Sequence, residues 1–300
     1  MEVLTIRDIH KSYGRILALK GVSFNVPEGS VFGILGPNGS GKTTLLGIVM
    51  NVLIANSGNF LWFGKEADDD QRKKIGTLLE TPNFYHYLSG SRNLEITAAI
   101  QGHSVADIDE VLKKVNLYER RHSKFSTYSL GMKQRLALGA ALLGNPSVLV
   151  LDEPTNGLDP VGIAETRELI RLLAREGKTI ILASHLLDEV EKVCTHVAIL
   201  QRGNLITYGH VDEVLKNEDI VELGSADNTR LAAALQDFAG GHGLKNDNNH
   251  IQLFFQPGTA DLESINRFCF ERGVVLNHLQ LKKKSLESKF FELTHGNSTN

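Results

Sequence analysis

No apolar run in the 300-residue sequence approaches the length of a membrane-spanning helix, so any membrane role is expected to come through a partner. Cysteine is scarce. Cys194 and Cys269 lie far apart, match neither metal nor redox spacing, and each sits in an apolar-periodic stretch, which reads as buried thiols in a reducing compartment. There is no surplus of positive charge either: a formal net charge of −3 argues against nucleic acid as the main partner. The first residues, Met1-Glu-Val-Leu-Thr-Ile-Arg-Asp8, place charges where a secretory signal needs an apolar core, so the expected location is the cytoplasm. No convincing internal repeat is visible. A hydrophobic fraction of 42% and a charged fraction of 22% remain, the balance of a globular protein, and the length suits one large domain or two ordinary ones.

The stretch that organises the chain is Gly36-Pro37-Asn38-Gly39-Ser40-Gly41-Lys42-Thr43-Thr44. It fits G-x-x-x-x-G-K-[ST], and its flanks fit too: the apolar Val31–Leu35 suits a buried strand, and Leu45, Leu46, Ile48 and Val49 give a helical apolar face. Glycines let the backbone fold tightly so that successive N–H groups converge, and a helix N-terminus adds partial positive charge. Lys42 then reaches the β- and γ-phosphates and the Thr43 hydroxyl ligates Mg²⁺. A plain Gly-rich strand–helix turn would not need all four fixed positions. The expectation is a nucleoside triphosphate site.

Around it, alternating strands at Val3–Ile9 and Val22–Val26 give an antiparallel start, joined by a turn at 11–15. Tyr13 sits at the end of the first strand and by itself reads as a half-exposed hairpin residue. Phe60–Gly64 is a strand ending in a turn, Asp68–Asp70 a solvated helix start, and Phe84, Tyr85 and Tyr87 an aromatic loop that is either a contact surface or a local core. Two helices are expected between Ser91 and Asn116, interrupted near Gly102. Val148–Leu151 and Thr179–Ala183 are continuous apolar runs of the kind buried in parallel sheets. Asp159 suits a helix N-cap, with Pro160 following. Strand–helix alternation from Val31 to Leu200 argues for a three-layer α/β nucleotide-binding fold. Beyond Asn217 the pattern becomes a small α+β appendage. It has strands at 219–223, 251–255 and 274–281, helices at 231–238 and 262–270, and turns at 240–243 and 246–249. A closing helix runs from Leu286 to Thr294 before a polar tail. No ligand constellation is visible in the appendage.

Three further residues complete the chemistry. Asp152 ends a buried strand where a carboxylate can hold Mg²⁺, and Glu153 beside it can orient or deprotonate attacking water. His185 ends a later strand at the same sheet edge, within reach of the γ-phosphate. Singly, Glu153 reads as a surface acid and His185 as an ordinary strand-end histidine; the set gives them meaning.

With Tyr128-Ser-Leu-Gly-Met-Lys-Gln-Arg135, Leu151-Asp-Glu-Pro-Thr-Asn-Gly-Leu-Asp-Pro160 and Ser184-His185, the chain from Met1 to about Asn217 resembles an ATP-binding cassette ATPase. The resemblance implies a P-loop fold with an antiparallel β subdomain, a RecA-like parallel core and a helical subdomain at about 85–135, followed by the α+β appendage at 218–300. It implies that Tyr13 stacks on adenine, which replaces the plain reading of that residue. It also makes Glu153 the catalytic carboxylate, His185 a switch histidine and Asp159 part of a loop crossing to a second subunit. Ser129 and the Gly131 amide, at the start of a helix, would contact the γ-phosphate held by a second ATPase subunit in a dimer of two such chains. The segment departs from Leu-Ser-Gly-Gly-Gln at Tyr128, Leu130 and Met132. A second departure is Glu80, where most cassettes carry a glutamine that ligates the metal. Glutamate there, and the ending Ser285–Thr294, resemble the ATPases of bacitracin and lantibiotic exporters. The implied protein uses ATP and Mg²⁺ and binds a polytopic permease at the inner face of the membrane. The alternative is a cassette ATPase that drives a conformational change in a membrane or ribosome-associated partner without moving solute.

Overall fold

The computed structural model describes residues 1–66, 68–79, 83–215, 219–247, 250–282, 286–287 and 290. It divides into two compact units, Met1–Val211 and Asp212–Asn300; the expected boundary residue Asn217 lies outside the described residues.

In the first unit, β1 (Glu2–Tyr13) and β2 (Ile16–Pro27) make a hairpin closed at Gly14, so the turn is tighter than the 11–15 span expected from sequence. β3 (Val31–Leu35), buried at every residue, enters the glycine-rich loop and α1 (Lys42–Val49). β4 (Ser57–Trp62) returns to pair with β1. The Trp62 indole donates to the Val49 carbonyl at 2.8 Å, which fastens this antiparallel sheet to the end of α1. Asp68 accepts from the Gln71 amide and so caps α2 (Asp69–Arg72), which precedes β5 (Ile75–Leu78).

Helices α3 (Gly90–Gln101), α4 (Ile108–Lys114) and α5 (Leu130–Leu142) follow. Gly102 ends α3 with a left-handed conformation, the physical reason for the break in helical periodicity there. The chain then alternates strand and helix, β6 (Val148–Asp152), α6 (Pro160–Arg175), β7 (Thr179–Ser184) and α7 (Leu187–Glu191), before the strand pair β8 (His196–Gln201) and β9 (Asn204–His210). The central sheet has the order β5-β6-β7-β3-β8-β9, parallel except at β9. Burial on both faces explains why β3, β6 and β7 carry unbroken apolar runs rather than alternation. Gly76 of β5 permits a close approach by α5, since a Cβ there would lie 1.8 Å from the Ala141 carbonyl oxygen.

In the second unit, α8 (Val211–Leu215) spans the division between the units. β10 (Asp219–Ser225), α9 (Asn228–Leu235), β11 (Gly243–Asp247), β12 (His250–Phe255), α10 (Leu262–Glu271) and β13 (Leu276–Lys282) follow. The antiparallel order is β11-β12-β10-β13. The sequence expectation missed β11 and read its ends as turns. It is an edge strand exposed at residues 243–246, and an edge strand needs no buried face to pair, so no apolar alternation betrays it. β13 begins at Leu276, two residues later than expected. The apolar face of this sheet, Val221, Leu223, Ile251, Leu253 and Phe255, packs with Leu231, Leu235, Ile265 and Cys269 of the helices. Most of the expected closing helix at 286–294 lies outside the described residues.

Candidate functional site

Parallel register brings the C-terminal ends of three strands level. Leu35 pairs with Ser184, and Asp152 pairs with Ala183, so the loops leaving β3, β6 and β7 open at one sheet edge. Gly36, Gly39 and Gly41 all have positive φ, and the first and last are also crowded. A Cβ on Gly36 would lie 2.2 Å from the Leu200 carbonyl oxygen, and one on Gly41 2.7 Å from that of Ala18. Only glycine fits either position. Pro37, Asn38 and Gly39 form the exposed crest of the loop, whereas Ser40 is buried with its hydroxyl lacking any hydrogen-bond partner in the protein.

α1 begins without a side-chain cap, because its N-cap is Gly41. Leu45 is the first amide to bond back, to Gly41, so the amides of 42–44 have no intrahelical acceptor. By contrast, Ser89, Ser129, Asp159, Asp227 and Asp261 each cap a helix with their own side chain. The open amides and the helix dipole make an anion cradle at the end of β3. Thr43 is exposed on the first turn and Thr44 half-buried.

Lys42 is 5% exposed, and its ammonium folds back over the loop, donating to Gly36 at 2.8 Å and Pro37 at 3.4 Å. The same nitrogen stands 3.4 Å from Glu153 Oε1. Glu153 is held in a left-handed backbone conformation, φ 46°, with its amide donating to Ala183 of the neighbouring strand. Its other carboxylate oxygen lies 2.8 Å from His185 Nδ1. One carboxylate therefore bridges the phosphate-loop lysine and the strand-end histidine, and Nε2 is the ring nitrogen left to face a ligand. Asp152 is buried at the end of β6. The bridge through Glu153 ties together three residues that were grouped only by motif in the sequence.

The remaining expected residues are distributed as follows. Tyr13 ends β1 with its ring half-exposed and the Lys11 ammonium 5.2 Å from the ring centroid. Ser129 is exposed and caps α5 by accepting from the Met132 amide, and a Cβ on Gly131 would meet only Leu158 Cδ2, at 4.0 Å. Tyr128 is buried beside Phe125 and donates its hydroxyl to the Arg120 carbonyl, and burial pushes its pKa up. This substitution in the signature segment is thus a packing residue. Asp159 caps α6 through the Gly162 amide. Glu80 lies outside the described residues. The aromatic loop is divided: Phe84 packs edge-on against Phe125, whereas Tyr85 and Tyr87 are exposed.

One contact was not foreseen. Leu130 lies against the turn that follows Glu153, 3.2 Å from where a Cβ on Gly157 would stand, and Leu158 approaches the Gly131 position from the same turn. The start of α5 and the 156–159 turn therefore form one continuous surface. Nothing in the linear spacing of these segments signals that contact. Cys194 and Cys269 are both buried, and burial raises both thiols, as expected of inert core groups.

Residues 19–156 match the family described as ABC transporter. The chain is 36% identical over 298 residues to the ABC transporter ATP-binding protein YhcH of Bacillus subtilis, covering 97% of this chain and 96% of that protein. It is 32% identical over 307 residues to the bacitracin transport ATP-binding protein BcrA of Enterococcus faecalis, covering 98% and 97% respectively. Among solved structures, the dimeric post-hydrolysis state of the ATP-binding cassette MJ0796 bound to ADP and Pi is similar with a TM-score of 0.61. That match is 26% identical and spans 69% of this chain and 98% of the other.

Proposed function

We infer that this chain, which belongs to the ABC transporter ATP-binding proteins, hydrolyses ATP to energise a separate membrane permease and does so as one of two paired cassettes. The observation that carries this reading is the bridge from Lys42 through Glu153 to His185, set beside the uncapped start of α1. Triphosphate oxygens suit the free amides of 42–44, and Lys42 leaves the carbonyls of Gly36 and Pro37 to meet them. Once Lys42 has moved, Glu153 loses the cation beside it and keeps only His185. It is then free to accept a proton from water or to orient it, while His185 Nε2 offers a contact to the phosphate. Tyr13 presents an aromatic face suited to stacking on adenine.

The donor set suits Mg²⁺, because the Thr43 hydroxyl and the Asp152 carboxylate are hard oxygen ligands; Glu80 would be a third. When bound, that ion neutralises charge on the phosphates.

Ser129, Gly131 and the 156–159 turn share one surface, joined by the approach of Leu130 to Gly157 and of Leu158 to Gly131. We assign that surface to a second copy, which would receive the Ser129 end of α5 against its bound γ-phosphate. No helix among the described residues is long and apolar enough to cross a membrane. We propose that a separate permease holds the transport path and is contacted by the loop bearing Tyr85 and Tyr87, which are exposed. We place the system with exporters of peptide antibiotics, by analogy with the bacitracin transport relative.

The test is purification of the tagged chain from its native membranes in mild detergent, followed by an ATPase assay. The expected result is Mg²⁺-dependent hydrolysis and a stoichiometric polytopic protein. Active ATPase recovered without any such protein would contradict the transport role.

A further inference from the structure

We propose that the C-terminal unit carries a binding site for a divalent transition-metal ion of the zinc class, built from Glu222, His250 and His278 on three adjacent strands. One ligand atom from each of the three lies within 4.8 Å of the others. The sequence reading saw no ligand constellation in the appendage, whereas the fold brings these three side chains together. The three residues lie far apart in the chain, and only strand register brings them together.

The geometry follows from the sheet. β10 lies between β12 and β13, and Gly224 pairs directly with His278. Residues directly opposite on antiparallel strands share a face, and so do residues two apart on one strand. Gly224, His278 and Glu222 therefore share the face opposite the apolar core. A Cβ on Gly224 would lie 2.9 Å from His250 Cδ2 and 3.2 Å from His278 Cβ. The missing side chain in the central strand lets two imidazoles from the flanking strands meet across it, with ring centroids 4.3 Å apart. Glu222, one pleat further along, is 7% exposed and turns its Oε2 to within 3.3 Å of His278 Nε2.

Tetrahedral ligands about 2.0–2.2 Å from a metal lie roughly 3.3–3.5 Å from one another. The Glu222–His278 pair already has that separation. His250 reaches it by a small side-chain rotation, since it is only half-buried. Two imidazoles and one carboxylate are a borderline donor set that favours zinc-like ions over Mg²⁺, which prefers oxygen alone. The second carboxylate oxygen of Glu222 is occupied by the Lys282 ammonium at 2.5 Å. That partner orients the carboxylate for one-oxygen ligation, as supporting hydrogen bonds do in metal sites. Three protein ligands leave at least one position open, so the ion should exchange.

The site shares no residue with the nucleotide cradle, and its test needs no hydrolysis. The full-length chain is titrated with Co²⁺, and separately with Zn²⁺, in excess Mg²⁺. Visible absorption and calorimetry report binding, and thermal melting with and without Zn²⁺ reports stabilisation. The parent should bind one equivalent with the visible bands of low-coordinate cobalt, and Zn²⁺ should displace it. His250→Gln and His278→Gln should each weaken binding more than about 100-fold, beyond what loss of a supporting residue causes. Gly224→Ala should weaken it by prising the rings apart while leaving every ligand in place. Each variant should melt like the parent without metal yet lose the zinc-dependent shift. If the parent shows no saturable binding, or His278→Gln and His250→Gln bind as it does, the proposal fails. It fails equally if the variants lose the same stability with and without zinc, because the cluster is then only a hydrogen-bonded clasp.

Discussion

Replacing Glu153 by Gln is expected to leave ATP binding near the parent value while slowing hydrolysis by on the order of 10²–10³, the usual loss for one well-placed polar group. The amide keeps the size of the carboxylate and its contacts toward His185, so the fold around φ 46° should persist. It cannot accept the proton of attacking water as a carboxylate does. A second consequence follows from the 3.4 Å approach of Lys42 to Glu153. Removing the negative charge releases Lys42 for phosphate, so ATP affinity should rise slightly rather than fall. With turnover blocked and affinity preserved, the ATP-bound pair should accumulate, visible by light scattering. Single-turnover hydrolysis alongside equilibrium binding of a fluorescent ATP analogue separates the two effects. Near-parent hydrolysis by Glu153→Gln would remove that residue from catalysis.

Lys42→Ala should act on the other side of the same balance. A hydrogen bond to a charged group is worth about 1.5–3 kcal/mol, and about 1.4 kcal/mol is a factor of ten. Part of that gain is offset, because Lys42 must abandon the Gly36 carbonyl at 2.8 Å before reaching a ligand. ATP affinity is therefore expected to fall by roughly 10- to 100-fold, with hydrolysis lost at ordinary ATP concentrations. Lys42→Arg should not restore it, since a planar guanidinium does not fit where a 5% exposed ammonium folds over the loop. The check is calorimetric titration with ATP beside a melting curve. Parent-like ATP affinity in folded Lys42→Ala would show that the cradle of amides suffices alone.

What the sequence revealed and what it hid divide along physical lines. The phosphate loop was legible because it is one contiguous motif whose Gly36, Gly39 and Gly41 all need positive φ, although the crowding at Gly36 and Gly41 comes from distant Leu200 and Ala18. β3, β6 and β7 were legible because strands buried on both faces carry unbroken apolar runs. Asp152 and Glu153 could be placed at a strand end, yet nothing linear indicated that Glu153 would join Lys42 to His185. That contact depends on β7 lying between β6 and β3. The same holds for Leu130 against the Gly157 turn and for Gly76 under α5, where packing between distant segments decides the residue. The appendage was least legible. β11 has no buried face to show in its pattern, and Glu222, His250 and His278 meet only through cross-strand register. Chemistry carried by one contiguous motif can be read from a chain; chemistry assembled across a sheet needs its topology.

The central claim is that each working site is shared, with the phosphate loop of one copy and the Ser129 end of α5 from the other. Mixing two disabled variants tests it most directly. Lys42→Ala keeps the α5 surface and disables its own cradle, whereas Ser129→Arg keeps the cradle and blocks the surface it offers. Each alone should be nearly inactive. Mixed in equal amounts, about half the pairs contain one of each, and each such pair holds one intact site of two, so on the order of a quarter of the parent rate should return. Ser129→Arg hydrolysing ATP alone at the parent rate, or a mixture as inactive as its components, would contradict the shared site.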